Sequence, residues 1–283
     1  MRLSKRNWLQ RMGFVLGTLA LGLVAHPAER ARAQDDRFVI VQSTTSTEAS
    51  GLFEYLLPKF ENLTGIDVRV VAVGTGQAIR NARNGDGDVL FVHHGPSEYK
   101  FIADGHGKRR FDVMYNDFVI VGPEDDPAGI AGMDSVTEAL ATIAESGEPF
   151  ASRGDDSGTH KRERSLWAKT EIAPQASSGQ WYRETGSGMG KTLNTAVQMA
   201  AYTMTDRATW LNFGNKAGFE ILVEGDPRLF NQYGVMVLNP DKHPSVKEGM
   251  AQAFVDWLVS EGGQQAIANY RLKGQQMFFP NAD

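Results

Sequence analysis

Three short segments of this sequence concentrate hydroxyls, glycines and one guanidinium: Ser43-Thr44-Thr45-Ser46-Thr47, Gly74-Thr75-Gly76-Gln77, and Ser152-Arg153-Gly154-Asp155-Asp156-Ser157-Gly158-Thr159. Glycine lets the backbone approach a ligand closely, and hydroxyls are donors that rotate to suit. Arginine adds a permanent, planar positive charge. Singly, each segment reads as an ordinary helix cap, and Arg153 as the ion-pair partner of Asp155 or Asp156. Jointly they could surround a compact oxyanion with donors. A fully deprotonated oxyanion such as sulfate carries no proton near neutral pH and calls for donors only. Phosphate keeps a proton and can use a carboxylate acceptor, so Asp155 and Asp156 leave it open.

The elements around these segments decide whether they can converge. Apolar runs at 38–41, 68–73 and 89–92 read as strands, and Leu52, Phe53, Leu56, Leu57, Phe60 and Leu63 recur at helical spacing with Pro58 as an expected kink. The first stretch therefore repeats strand, loop and helix, the pattern of a parallel sheet flanked by helices. Further on, 111–115 and 118–121 read as strands broken at Asn116-Asp117. Residues 150–152, 201–203, 219–223 and 233–238 also read as strands, and 136–144, 193–199, 246–259 and 264–270 as helices, with Asp206 capping a helix that carries Trp210 and Phe213. Each donor-rich segment stands before a predicted helix. There the first turn offers unpaired N–H groups and a partial positive charge, at the carboxyl end of a strand where ligands bind.

Composition narrows the function. The chain has 283 residues, enough for two lobes, and no cysteine, which excludes disulfides, thiolate metal sites, a cysteine nucleophile and a lipid-modified cysteine. Arg2, Lys5, Arg6 and Arg11 precede and border an apolar stretch over 12–25, and Ala31-Arg32-Ala33 offers a small-x-small cleavage pattern. Residues 1–33 thus read as a signal peptide of Sec or twin-arginine-like type, cleaved near Ala33, with a periplasmic destination. Residues 1–33 hold six basic side chains and one acidic one, so residues 34–283 carry 23 basic against 33 acidic, a net of −10. That balance is unsuited to nucleic acid and repels anions at long range, so anion capture must rest on short, desolvated hydrogen bonds.

Other patterns read differently. Gly186-Ser187-Gly188-Met189-Gly190-Lys191-Thr192 resembles a P-loop but has Thr185 where the first glycine belongs. His93-His94 is expected as a loop or surface pair, because neighbours in a strand point to opposite faces and cannot easily clasp one metal. A triad from hydroxyls, His160 and Asp155 or Asp156 lacks a G-x-S-x-G elbow, so a secreted hydrolase is the weaker reading and His160 is expected to be solvated or at a lobe interface. No catalytic residue, cofactor or metal is expected.

Four segments, in order, carry a family resemblance: Ser43-Thr44-Thr45-Ser46, Val73-Gly74-Thr75-Gly76-Gln77-Ala78, Ser152 through Thr159, and Ala201-Tyr202-Thr203-Met204-Thr205-Asp206-Arg207. The chain resembles the periplasmic tungstate-binding proteins of ABC importers, whose T-T-T-S, V-G-T-G-Q-A, S-R-G-D-x-S-G-T and Y-T-L-T-D-R segments these match; Ser43 replaces the first threonine. The resemblance implies an α/β, two-lobed type II periplasmic-binding fold, with two mixed or parallel sheets flanked by helices and joined by two hinge crossings. Lobe I would comprise 34–115 and 230–283, and lobe II 116–229. Carried over residue by residue, the oxyanion ligands would be Thr44, Thr45, Ser46, Thr75, Ser152, Arg153, Ser157 and Thr159, with Asp155 orienting. The partners implied are tungstate, with molybdate, sulfate or phosphate as alternatives, and a membrane permease; a monomer is expected.

Overall fold

The computed structural model describes residues 37–282. The signal segment and cleavage point read from residues 1–33 lie outside the described residues. Strand β1 (Phe38–Thr44) leads directly into α1 (Thr45–Ala49) and then α2 (Leu52–Thr64); β2 (Asp67–Val73) leads into α3 (Thr75–Asn84), and β3 (Val89–Val92) into α4 (Gly95–Ala103). The long β4 (Phe111–Pro123) precedes α5 (Val136–Ser146), β5 (Phe150–Ser152), α6 (Gly158–Trp167), β6 (Tyr182–Glu184), α7 (Met189–Met199), β7 (Thr203–Asp206), α8 (Arg207–Asn212) and β8 (Phe219–Val223). After β9 (Phe230–Val237) come α9 (Glu248–Val259), α10 (Glu261–Ala268) and the two-residue strands β10 (Arg271–Leu272), β11 (Gln275–Gln276) and β12 (Phe279–Pro280).

The main sheet runs β12-β4-β9-β3-β1-β2, and β7 and β8 also pair with β4. Strand β1 is parallel to β2 and β3, as the repeated strand–helix pattern predicts, whereas β9 inserts antiparallel to β3 and makes the sheet mixed. The break expected at Asn116-Asp117 does not occur. These residues stay in register with Asn231 and Phe230 of β9, so their backbone groups remain in the ladder. The partner changes instead: from Phe118 onward β4 pairs with β7 and β8.

Burial follows the same division. One core gathers Val39, Val41, Leu56, Phe60, Phe91, Met114, Tyr233, Phe254 and Phe278. On the distal half of β4, Phe118 and Ile120 face a second core with Phe150, Trp167 and Tyr182, while Val119 and Val121 face a third with Leu193 and Trp210. This is strand alternation with both faces covered. Helix α2 runs through Pro58, which lies on the solvent face opposite buried Leu52, Leu56 and Phe60, where the carbonyl it leaves unbonded can turn to water. Helix α7 starts at Met189 rather than 193, because Gly188 already caps it, and β7 occupies Thr203–Asp206 rather than 201–203.

Candidate functional site

The hydroxyl segment is less of a loop than its composition implies. Ser43 and Thr44 end β1 and Thr45 begins α1; Thr44 is the cap, its Oγ1 accepting from Thr47 N at 3.2 Å. Thr75 likewise opens α3 behind the extended Gly74. Only the third segment keeps a turn, with Gly154 at φ 59° and Asp156 at φ 58°, before Ser157 caps α6 by accepting from His160 N.

These three strand ends meet. Arg153 Nη2 donates to Thr45 Oγ1 at 3.2 Å, and Gly158 N donates to Thr75 Oγ1 at 2.6 Å. A side-chain carbon on Gly158 would stand 3.0 Å from Thr75 Oγ1 and 3.1 Å from His93 Cε1, so the α6 start approaches both as closely as glycine permits. Arg153 is 1% exposed and pairs with Asp155 through the same Nη2, while its Nε and Nη1 have no acceptor in the protein. Thr159 Oγ1 is also buried without a partner. The centre thus holds a buried cation with two free donors, and the first turn of α6 holds a free buried hydroxyl. A buried donor left unpaired costs about 1–3 kcal/mol, more when charged, which is the signature of a pocket made for an acceptor.

The remaining predicted residues divide. Asp155 orients: its Oδ1 accepts from Ser157 N while its Oδ2 accepts from Arg153. Ser157 spends its hydroxyl oxygen as the helix cap. Ser152 turns away, its Oγ donating to Glu163 Oε2 at 2.9 Å. Tyr182 also donates to Glu163, and burial pushes that carboxyl up to about 7.

The structure adds groups that the sequence reading missed. His93, expected in a loop or at the surface, stands in the loop after β3 but is only 5% exposed, and its Nε2 lies 3.0 Å from Ser46 Oγ and 3.2 Å from Thr44 Oγ1. Asn231 donates through Nδ2 to Asn116 Oδ1 at 2.7 Å, so its Oδ1 is free to accept from His93 Nδ1 at 3.0 Å. That fixes the proton on Nδ1 and leaves Nε2 an acceptor for hydroxyls. Burial keeps the ring neutral, holding it at about 4. The available signal was position: His93 follows β3 as Thr45 follows β1 and Thr75 begins the helix after β2. His160, expected solvated or at an interface, is buried and accepts from Asp156 N through Nδ1.

Two further groups complete the surroundings. The glycine-rich stretch before α7, set aside as a failed P-loop, packs here, with Ser187 N donating to Arg153 O at 3.2 Å and Gly188 facing Thr45. Asp206 caps α8 through Oδ1, and its buried Oδ2 has no partner; burial raises its carboxyl, while nearby Arg153 opposes that rise.

A mixed α/β sheet with hydroxyls, amides and a guanidinium at its strand ends is the arrangement of a solute-binding protein, and a family model for the PBP superfamily domain matches residues 25–262. Over 274 residues the chain is 44% identical to the tungstate-binding protein TupA of Peptoclostridium acidaminophilum, covering 93% of this chain and 95% of that one. Its fold superposes on the tungstate-binding protein TupA from Desulfovibrio alaskensis G20 with a TM-score of 0.74 at 45% identity, covering 87% and 99% of the two chains. The tungstate ABC transporter structure from Geobacter sulfurreducens matches with a TM-score of 0.76 at 47% identity, covering 82% and 98%. The chain belongs to the PBP superfamily, in the family of substrate-binding proteins that these relatives form.

Proposed function

We propose that this protein captures a tetrahedral oxyanion, tungstate, between two lobes and delivers it to the membrane permease of an ABC importer. The observation that carries the reading is Arg153: a buried guanidinium whose Nε and Nη1 have no acceptor, held by Asp155 and Thr45. Tungstate rather than molybdate follows the names of the relatives. Thr44, Thr45, Ser46, Thr75, Arg153 and Thr159 are proposed to face the anion. Ser157 is proposed to donate its hydroxyl hydrogen, since its amide already donates to Asp155, and Ser152 to contribute its backbone, its hydroxyl being committed to Glu163. The lobes proposed are 34–115 with 230–283, and 116–229; the division of the buried cores supports them. We propose a periplasmic monomer. Among the described residues no helix is long and apolar enough to cross a membrane.

The protein is not an enzyme; its relatives are transport proteins. Ser46, His93 and Asn231 do stand in the order nucleophile, base and orienting group. A base held at about 4, however, takes a hydroxyl proton poorly at neutral pH. The test is a thermal-shift panel of tungstate, molybdate, sulfate and phosphate against the purified protein, followed by calorimetry. A ligand at about 100 times its Kd adds roughly 2.7 kcal/mol of stability, so tungstate should give the largest shift. A larger shift with sulfate or phosphate rejects the ligand, and no shift with any of the four rejects the function.

A further inference from the structure

Beyond His93 lies a second cavity of about 340 Å³, lined among others by His93, His94, Gly158, Arg162, Ser165 and Gln232. None of its lining residues is acidic, although residues 34–283 carry a net charge of −10. Two of its lining residues, His93 and Gly158, also belong to the wall of the inner site, where Gly158 touches Thr75.

Arg162 sets this cavity apart. The neighbouring cations are neutralised: Lys161 by Asp156 and Arg153 by Asp155. Arg162 donates only to the Phe230 carbonyl, at 3.1 Å, and no carboxylate of the described residues pairs with it. Its charge reaches inward, for it helps lower both His94 and His93, each held at about 4 mainly by burial. A dianion approaching an acidic protein is repelled unless the mouth of its site is locally positive. An uncompensated guanidinium in a half-open cavity against the inner wall supplies that positive mouth.

We propose that this cavity is an entry subsite, in which Arg162 gathers a still-hydrated tetrahedral dianion before it passes the His93–Gly158 wall to Arg153. The inference rests on the oxyanion reading above and concerns how the anion arrives; Arg162 would add to affinity only through the association rate.

Association and dissociation rates separate the two claims. Stopped-flow tryptophan fluorescence with sodium tungstate, at low and high ionic strength, gives both for the wild type, Arg162→Gln and Arg162→Lys. At low salt Arg162→Gln should slow association about tenfold, the effect of one unit charge on a dianion at roughly 6 Å in water. Near 0.5 M salt the gap should shrink below about twofold as screening sets in. Arg162→Lys should keep association within about twofold of wild type, because charge rather than shape is at issue, and dissociation should change less than about twofold in both variants. An unchanged association rate for Arg162→Gln at low salt overturns the entry subsite and leaves the inner site standing. So does a lysine variant as slow as glutamine, or an effect confined to dissociation. A wild type that binds none of the four anions overturns the oxyanion reading and this inference with it.

Discussion

At the scale of single residues, the site is a problem of charge compensation. Arg153 is buried with Asp155 hydrogen-bonded to it and Asp206 within its field. Charge-assisted hydrogen bonds contribute about 1.5–3 kcal/mol each. With two donors free, Arg153→Ala should weaken tungstate binding by at least about 3 kcal/mol, more than 100-fold; a loss below tenfold by calorimetry would remove Arg153 from the ligand shell. In the proposed site Asp206 would act in the opposite sense, as a buried acceptor within the field of Arg153. Asparagine caps a helix as well as aspartate does, so Asp206→Asn should keep α8 and tighten binding roughly 3- to 10-fold by removing like charge. Weaker binding would instead make Asp206 an acceptor for a protonated ligand, which points to phosphate. Glu163 gives a stability signature. Its carboxyl is raised to about 7, so between the unfolded value near 4.5 and about 7 the folded state holds the extra proton. Its contribution to stability is therefore present at low pH and lost as pH rises through that window. Glu163→Gln removes this dependence. The wild type should lose up to about 3 kcal/mol relative to the variant between pH 4.5 and 7, measured by urea unfolding across pH; parallel curves would mean that Glu163 stays ionised throughout.

At the scale of elements, the site is a set of helix starts pressed against strand ends. Glycine decides how close they come. Gly158→Ala puts a carbon 3.0 Å from Thr75 Oγ1 and 3.1 Å from His93 Cε1, so one strand end must move a few tenths of an ångström. Alanine is otherwise favoured over glycine in a helix by about 0.5–1 kcal/mol. We expect roughly tenfold weaker anion binding with a ligand-free melting temperature within a few degrees of wild type; unchanged affinity would show that the α6 start has slack. The helices after β2 and β5, the cap at Asp206 and the strands β3, β5 and β8 were legible in the sequence, because apolar runs and capping side chains are local signals. The continuity of β4 was not. Asn116 and Asp117 look like a break, and only the long-range ladder to Asn231 and Phe230 keeps them extended. The convergence of Thr45, Thr75 and Arg153 could be inferred from their strand-end positions. The direction of the Ser152 hydroxyl could not, since it depends on Glu163 and Tyr182 meeting it across the core. The burial of His93 was missed for a related reason: it comes from Asn231, 138 residues away in sequence, and from Tyr233, on which its ring stacks at 4.8 Å.

At the scale of the molecule, the buried cores are spanned by the continuous β4, while its partner β9 packs into the first. In the structure the inner site is shut. Thr44 and Ser46 are 1% exposed, Thr75 is fully buried, and Arg153 shows only 1%. The contacts that shut it cross between the proposed lobes: Arg153 to Thr45, Gly158 to Thr75, and Thr209 Oγ1 to Ser46 O at 3.2 Å. The two neutral bonds are worth about 0.5–1.5 kcal/mol each and the guanidinium bond about 1.5–3 kcal/mol. Together these three contacts, set against the unmet donors of a buried guanidinium, leave the closed form of the anion-free protein only marginally favoured or disfavoured. An anion on Arg153 removes that penalty and tips the balance toward closure. The hinge has its own polar lock, Asn116 to Asn231 to His93, which ties the crossing strands to the hydroxyls of Thr44 and Ser46. Small-angle scattering should therefore record a radius of gyration that falls by about 1 Å on adding tungstate, as expected for hinge closure in a chain of this size. His93→Gln, which cannot hold Asn231 and the hydroxyls together, should reduce that change. A radius that stays constant while calorimetry registers binding would mean that the anion reaches Arg153 without any separation of the lobes, and the hinge would have no part in capture.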